Sequence, residues 1–305
     1  DVPIGAGILR QLADVYRKVR NTSRYLLGNI HDFNPSSDAV PVAELPLLDR
    51  WMLQRTAEVM DEITAAFESY EFFRFFQLLQ NFCVTDLSNF YLDIAKDRLY
   101  VSAPADRRRR SCQTVMALII ERLAGFIAPV LCHMAEDIWQ NLPYPVQETS
   151  VFQRGWPTVP SAWRNDTLSA PMQQLRDLRA AVNKVLEDCR GRQELGASLE
   201  AAVRIDARSP ELEAALCWLS DNGDPEVDGL RDWLLVSQLQ LGGEPWAEVL
   251  ASQEDATAVI DVSRARGTKC DRCWHYEADV GQHADHPDLC GRCVGVLERR
   301  THQLA

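Results

Sequence analysis

Four cysteines near the end of the chain carry the strongest chemical signal: Cys270-Asp271-Arg272-Cys273, sixteen further residues, then Cys290-Gly291-Arg292-Cys293. A two-residue gap puts two sulfurs on one tight turn, so both can reach a single ion at about 2.3 Å, and two such turns complete a tetrahedron. The spacing between the pairs suits a four-cysteine site. Thiolates select zinc over calcium or magnesium, which prefer oxygen. Four protein thiolates leave no position open for water, so the expected zinc, one ion held by Cys270, Cys273, Cys290 and Cys293, is structural and not catalytic. It would staple a module of about 30 residues, too short to own a core. His275, His283 and His286 lie between the pairs, and any of them could replace a cysteine if geometry demanded it. A redox role for one pair would leave the other idle.

Basic residues surround this cluster. Four thiolates and one Zn²⁺ leave a formal charge of about −2, which Lys269, Arg272 and Arg292 can offset. Alternatively these three, with Arg264, Arg266, Arg299 and Arg300, contact phosphates. Trp274 directly follows a ligand position. It either stacks on a nucleic-acid base or supplies what core the module has.

Elsewhere the structural readings lead. The run Arg107–Arg110 follows Ala103-Pro104-Ala105-Asp106 and reads as the solvated first turn of a helix. The aromatic stretch Phe72–Phe82 reads as bundle core, and His133 as a satisfied core histidine. Asp93, Asp97, Glu136 and Asp137 show no spacing that marks a general acid–base pair. No phosphate-cradling glycine loop, nucleophile elbow or HExxH motif occurs, so the chain contains no recognisable active site.

The 305 residues predict two or three domains. Hydrophobic residues make up 46% and charged residues 25%, as in an ordinary soluble globular protein. The longest apolar run, Val115–Ile120, is far short of the ~20 residues a membrane helix needs. There is no secretory signal, and the chain begins Asp1-Val2-Pro3 without an initiator Met, as a piece of something longer would. Of nine cysteines, five (Cys83, Cys112, Cys132, Cys189, Cys217) stand singly. With no export signal, that usage points to a reducing, cytoplasmic setting. The net charge of −12 argues against binding nucleic acid by bulk electrostatics. It is unevenly spread, however: 17 basic residues against 20 acidic over 1–166, 8 against 17 over 167–260, and 7 against 7 over 261–305. The two ends can still offer local positive surface.

Apolar spacing near 3.6 predicts helices over 8–30, 47–70, 71–99 and 106–141, the last kinked or split at Pro129. Four long helices with short connections make an antiparallel bundle the economical fold. Residues 143–166, with four prolines and two tryptophans, read as an extended segment clamped on that bundle. A fifth helix covers 168–190. Alternation from Leu199 to Asp206 signals a strand, followed by a helix over 210–220 and strand-like stretches at 232–241 and 257–263. The expected fold is therefore mainly α. It comprises a helical domain over 1–166, a small α/β domain over 167–262 and a zinc module over 263–305.

Several segments, in order, resemble the C-terminal part of bacterial-type isoleucyl-tRNA synthetase, a class I aminoacyl-tRNA synthetase. They are Tyr16-Arg17-Lys18-Val19-Arg20-Asn21-Thr22-Ser23-Arg24-Tyr25-Leu26-Leu27, Leu48-Asp49-Arg50-Trp51, and Phe90-Tyr91-Leu92-Asp93-Ile94-Ala95-Lys96-Asp97-Arg98-Leu99-Tyr100. To these add Ala128-Pro129-Val130-Leu131 with Ala135-Glu136-Asp137-Ile138-Trp139, Val182-Asn183-Lys184, Gly196-Ala197-Ser198-Leu199-Glu200-Ala201, and the two cysteine pairs. The resemblance covers nearly the whole chain. It implies an anticodon-binding bundle, a small junction domain and a zinc module that together grip isoleucine tRNA. The ATP-binding signatures and the editing domain of the family are absent, so ATP and the chemistry would belong to a catalytic body N-terminal to this chain. The resemblance implies a monomer. With tRNA as the expected partner, Arg20, Arg24, Lys96, Arg98, Arg272 and Trp274 are the candidate contacts, with ion pairs to Asp93 or Asp97 as the competing use of Lys96 and Arg98. A zinc-stapled scaffold that binds protein instead is the other reading, motivated by the acidic middle.

Overall fold

The computed structural model describes residues 4–304, in two compact units. The first comprises residues up to 99 together with 105–165, and the second comprises 100–104 and the residues from 166 onward.

The first unit is a helical bundle. Its elements are α1 (Ala6–Asn29), the short α2 (Pro35–Asp38), α3 (Leu47–Glu68), α4 (Phe72–Asn81), a π-helical segment (Phe82–Tyr91), α5 (Leu92–Val101, whose last two residues count with the second unit), α6 (Arg107–Ile127) and α7 (Cys132–Gln140). The third expected helix is thus one continuous rod whose middle is wound as a π-helix. The fourth is split beside Pro129, as a missing N–H and a ring clash require. The core includes Leu48, Met52, Ile63, Phe75, Leu79, Ile119 and Leu123, and α6 is buried on nearly all sides. Phe75 and Phe82 of the aromatic stretch are buried, but Phe72 and Phe73 are 48% and 76% exposed, so the stretch is only in part core. His133 lies on the outside of α7, not in the core.

A buried polar knot lies at the centre of this bundle. Arg98 of α5, 2% exposed, forks onto both carboxylate oxygens of Asp49 on α3, and also donates to Ser111 Oγ of α6 (2.6 Å) and to the Arg108 carbonyl (2.9 Å). The Tyr91 hydroxyl donates to the same Asp49 carboxylate at 2.6 Å. Burial and that neighbouring charge push the phenol well above its ordinary value, so it remains a donor. Arg98 therefore pairs with neither Asp93 nor Asp97. Lys96 does form the helix pair, to Asp93 at 2.8 Å.

Of the Arg107–Arg110 run, expected as a solvated turn, only Arg107 is exposed. Arg109, 9% exposed, clamps Asp32 through both terminal nitrogens (2.6 and 2.9 Å). Arg110 donates to the Asp32 carbonyl and Arg107 to the Glu44 carbonyl, while Arg108 faces Asp97. Arg109 and Arg110 thus converge on Asp32, while Arg107 and Arg108 reach partners of their own.

The proline-rich segment after α7 is clamped on the bundle as expected. Trp163 is buried with the Arg122 guanidinium over its ring, the Trp156 indole donates to Thr64, and Arg164 forks onto Asp61. Pro157 sits so close to α6 that a Cβ at Gly125 would lie 2.3 Å from its ring, which is why only glycine fits there.

The second unit carries α8 (Ser169–Gly191), β1 (Ala201–Ala207), α9 (Pro210–Asn222), α10 (Leu230–Leu234), β2 (Gln238–Leu241), β3 (Ala251–Glu254), β4 (Ala258–Arg264), β5 (Thr268–Lys269), β6 (Tyr276–Glu277) and α11 (Gly291–Leu304). β1–β4 form a mixed sheet in the order β2-β1-β4-β3, with β2 parallel to β1 and the other pairs antiparallel. The strand expected over 232–241 is confined to its last four residues. Residues 230–234 coil into α10, which Leu235 ends in a left-handed conformation (φ 56°). β3 carried no strand signal, being a short polar edge strand. Among the described residues no helix is long and apolar enough to cross a membrane.

Replacing Asp49 by Ala should strand the Arg98 charge and cost the first unit about 3–5 kcal/mol, read as a lower urea midpoint of the helical signal. An unchanged midpoint would show that the knot does not hold the bundle.

Asp32 gives a pH signature. Burial raises its carboxyl, but hydrogen bonds from Arg109 and Gln113 and the charges of Arg109 and Arg110 outweigh that and lower it to about 2. The unfolded carboxyl protonates nearer pH 4. The clamp's stability is thus complete at neutral pH and is lost as pH falls from about 4 through 2. Urea midpoints measured across that range should drop more steeply for the wild-type chain than for Asp32→Asn.

Candidate metal centre and nucleic-acid interface

β5 and β6 form a hairpin in register Thr268↔Glu277 and Lys269↔Tyr276, and the first cysteine pair occupies its turn. Inside that turn the Trp274 N–H donates to the Cys270 carbonyl and the Cys270 N–H to the His275 carbonyl, both at 2.9 Å. The second pair straddles the start of α11. There the Cys290 N–H points at the Cys270 sulfur (3.3 Å), and the Gly291 N–H is taken by Asp279 (2.8 Å). Two separate backbone turns thus aim their sulfurs at one point.

All four sulfurs lie within 4.8 Å of one another, and each cysteine is at most 7% exposed. The Cys273–Cys290 sulfur separation of 3.7 Å is close to the edge of a tetrahedron built on bonds of about 2.3 Å, about 3.8 Å. The donor set and its size fit one zinc ion. No histidine of the loop joins the group: His275 is buried beside it, while His283 faces Asp279. Arg292 and Arg272 lie beside Cys273 and Cys293 respectively and favour their charged forms, which assigns these two arginines to offsetting thiolate charge. Val101, Val280 and Leu289 cover the sulfurs with apolar surface. Val101 lies far from the cysteines in sequence, and no spacing pattern points to it.

The module is fastened to the rest of its unit. The Tyr276 N–H donates to Ser237 Oγ (2.8 Å), and Arg231 reaches Glu277 (3.1 Å). Trp274 is not core. It takes a left-handed conformation (φ 67°) that a bulky residue rarely adopts, and its ring stands 61% exposed with the Lys269 ammonium 5.4 Å from its centre.

The other expected RNA contacts divide by burial. Arg20 and Arg24 stand exposed on α1, with no ion pair to either among the described residues. Lys96 is exposed and shares Asp93. Arg98 is wholly inside the bundle, with its guanidinium occupied, so it offers RNA no surface. Arg272 is half-buried against the cysteines. Arg264, Arg266 and Arg299 are exposed, whereas the Arg300 side chain lies outside the described residues.

Comparison with known proteins adds independent findings. Residues 49–205 match the family described as the anticodon-binding domain of tRNA ligase. Residues 267–295 match the zinc finger found in FPG and IleRS. The chain is 90% identical over 304 residues to the isoleucine–tRNA ligase of Parasynechococcus marenigrum (strain WH8102), covering 100% of this chain and 31% of that relative. It is 77% identical to the isoleucine–tRNA ligase of Prochlorococcus marinus (strain MIT 9313) and 76% identical to that of Synechococcus sp. (strain CC9311), in each case over 98% of this chain and 31% of the relative. The chain thus spans about a third of the length of the curated relatives it matches.

Substituting Cys290 by Ser should release the metal and disorder mainly the region around 265–305, leaving the helical signal of the bundle in place. Metal content by atomic absorption together with far-ultraviolet circular dichroism reads both effects. Full zinc content in the variant would remove Cys290 from the ligand set.

Proposed function

The chain belongs to the anticodon-binding domain family of tRNA ligases, and from that premise we propose that it is the tRNA-gripping part of an isoleucine–tRNA ligase. In this reading the complete protein joins isoleucine to its tRNA using ATP, and the catalytic and editing parts lie outside these residues. One observation carries the reading: a helical unit matching the anticodon-binding family and a four-cysteine module matching a synthetase zinc finger occur in one chain, in the order found in the isoleucine–tRNA ligases it resembles.

The division of labour follows the domains expected from the sequence: 1–166 for the anticodon arm, 167–262 as a junction, and 263–305 as a module held by zinc on Cys270, Cys273, Cys290 and Cys293. Arg20 and Arg24, exposed and unpaired among the described residues, contact phosphates. Lys96 does so in competition with Asp93. Trp274, held outward by its backbone, stacks on an unpaired base. An acidic chain can do this because only the touching surface has to be basic. We place the protein in the cytoplasm as a monomer. A protein-binding scaffold has only the acidic middle in its favour.

Binding of the chain to an isoleucine tRNA transcript should exceed binding to an anticodon-swapped transcript, and both affinities should fall steeply with salt. Replacing Arg20 and Arg24 by Gln should flatten the plot of log affinity against log salt by about one per contact removed. Salt-insensitive binding, or none, would overturn the reading.

A further inference from the structure

One face of the small sheet carries a groove that the zinc module does not explain. β1 residue Ala202 pairs in register with Gln238 on one side and Ser263 on the other, so the three side chains form a row across the sheet. The middle member is only a methyl group, which leaves a hollow. The connection between β2 and β3 crosses this same face. It is fastened at one end by Arg204, whose Nε donates to the Gly243 carbonyl (2.8 Å) while its Nη1 pairs with buried Asp261 (2.7 Å). It is fastened at the other end by Ser263 Oγ, which donates to the Glu248 carbonyl. The turn that starts it needs two successive left-handed residues, Gly242 and Gly243 (φ 66° and 76°). Trp246 stands between the two anchors, half-buried.

The resulting cavity, about 510 Å³, is lined by Trp246, Glu248 and Leu250 from the β2–β3 connection and by Arg264 and Arg266 from the end of β4 and the residues after it. Both arginines are exposed, and neither has an ion pair among the described residues. The backbone between them is fixed, because Gln238 accepts from the Arg266 N–H (3.0 Å) and donates to its carbonyl (2.8 Å). Glu248 is the one acid among the lining residues. An indole at the wall of a hollow that two exposed arginines also line offers what an unstacked base with its phosphate requires: a π-face for the ring and cations for the backbone.

We propose that this groove takes one unpaired nucleotide of the bound RNA, its base against Trp246 and its phosphate between Arg264 and Arg266. The inference rests on the reading that the partner is tRNA and adds to it a site on the middle segment, which the chain's charge balance had made the least expected place. Of the acidic residues of 167–260, Glu248 alone lines the site.

The test uses the whole 305-residue chain loaded with zinc and a fluorescein-labelled isoleucine anticodon stem-loop RNA. Trp246→Ala should weaken binding about 5- to 140-fold, the equivalent of about 1–3 kcal/mol of base–aromatic stacking at 1.4 kcal/mol per tenfold. Trp246→Phe, which keeps a ring, should stay within about threefold of the wild type. Arg264→Gln with Arg266→Gln should lower the salt slope by about 1.4, two single-strand phosphate contacts. Replacing the unpaired loop nucleotides one at a time by an abasic residue should identify one position whose loss equals that of Trp246→Ala and does not add to it. Circular dichroism and zinc content check that each variant is folded. If the wild-type chain binds the stem-loop and these variants bind it equally well, the groove does not hold RNA, is left to a peptide or to nothing, and the proposal fails while the tRNA reading stands. If the wild-type chain does not bind the stem-loop, both fall together.

Discussion

A carboxylate and a guanidinium, both shut away from water, set the register of three helices in the first unit. Asp49 on α3 receives Arg98 from α5 and the hydroxyl of Tyr91, and Arg98 passes on to Ser111 of α6. Removing two charges from water is costly, and the cost is recovered only when every donor and lone pair finds a partner. That demand is directional in a way apolar packing is not. Leucines on α3 and α6 can slide by part of a turn and stay buried, whereas the fork on Asp49 tolerates one arrangement. The Arg109–Asp32 clamp acts in the same way between α6 and the residues after α1. The bundle's specificity is thus electrostatic, laid over a hydrophobic core that supplies most of the driving force.

The second unit solves a different problem. Its last segment is too short and too polar to bury a core of its own, so four sulfurs converge on the point where a cation would sit, with Val101, Val280 and Leu289 as cover. Because the sulfurs come from a hairpin turn and a helix start, closing the site also fixes the hairpin against α11. Trp274 is a by-product of that closure. The turn that delivers Cys270 and Cys273 leaves the next residue in a left-handed conformation with its ring outward. A structural metal can in this way hold an aromatic ring out in solvent.

Charge is distributed to match. A net of −12 would repel a polyanion if it were uniform. Arg98 and, in the Arg107–Arg110 run, Arg108 to Arg110 are turned to carboxylates and carbonyls of the fold. Those left in solvent, including Arg20, Arg24, Arg264 and Arg266, are scattered in sequence.

The sequence alone determined the helices of the bundle, the split at Pro129, the clamp of the proline-rich segment, the first strand and the four-cysteine cluster. Each of these is written in short-range terms, as a period, a ring that lacks an N–H, or a two-residue gap. It also carried the family resemblance, because motifs such as Phe90–Tyr100 keep their order whatever they pack against. Tertiary structure decided the rest: which partner Arg98 chose, that Arg109 is buried while Trp274 is not, that residues 230–234 coil when their neighbours extend, and that Val101 covers the cysteines. These depend on what lies across the core from a residue. A single sequence read along its length contains no distance between Asp49 and Arg98, or between Val101 and Cys270, until the chain has folded.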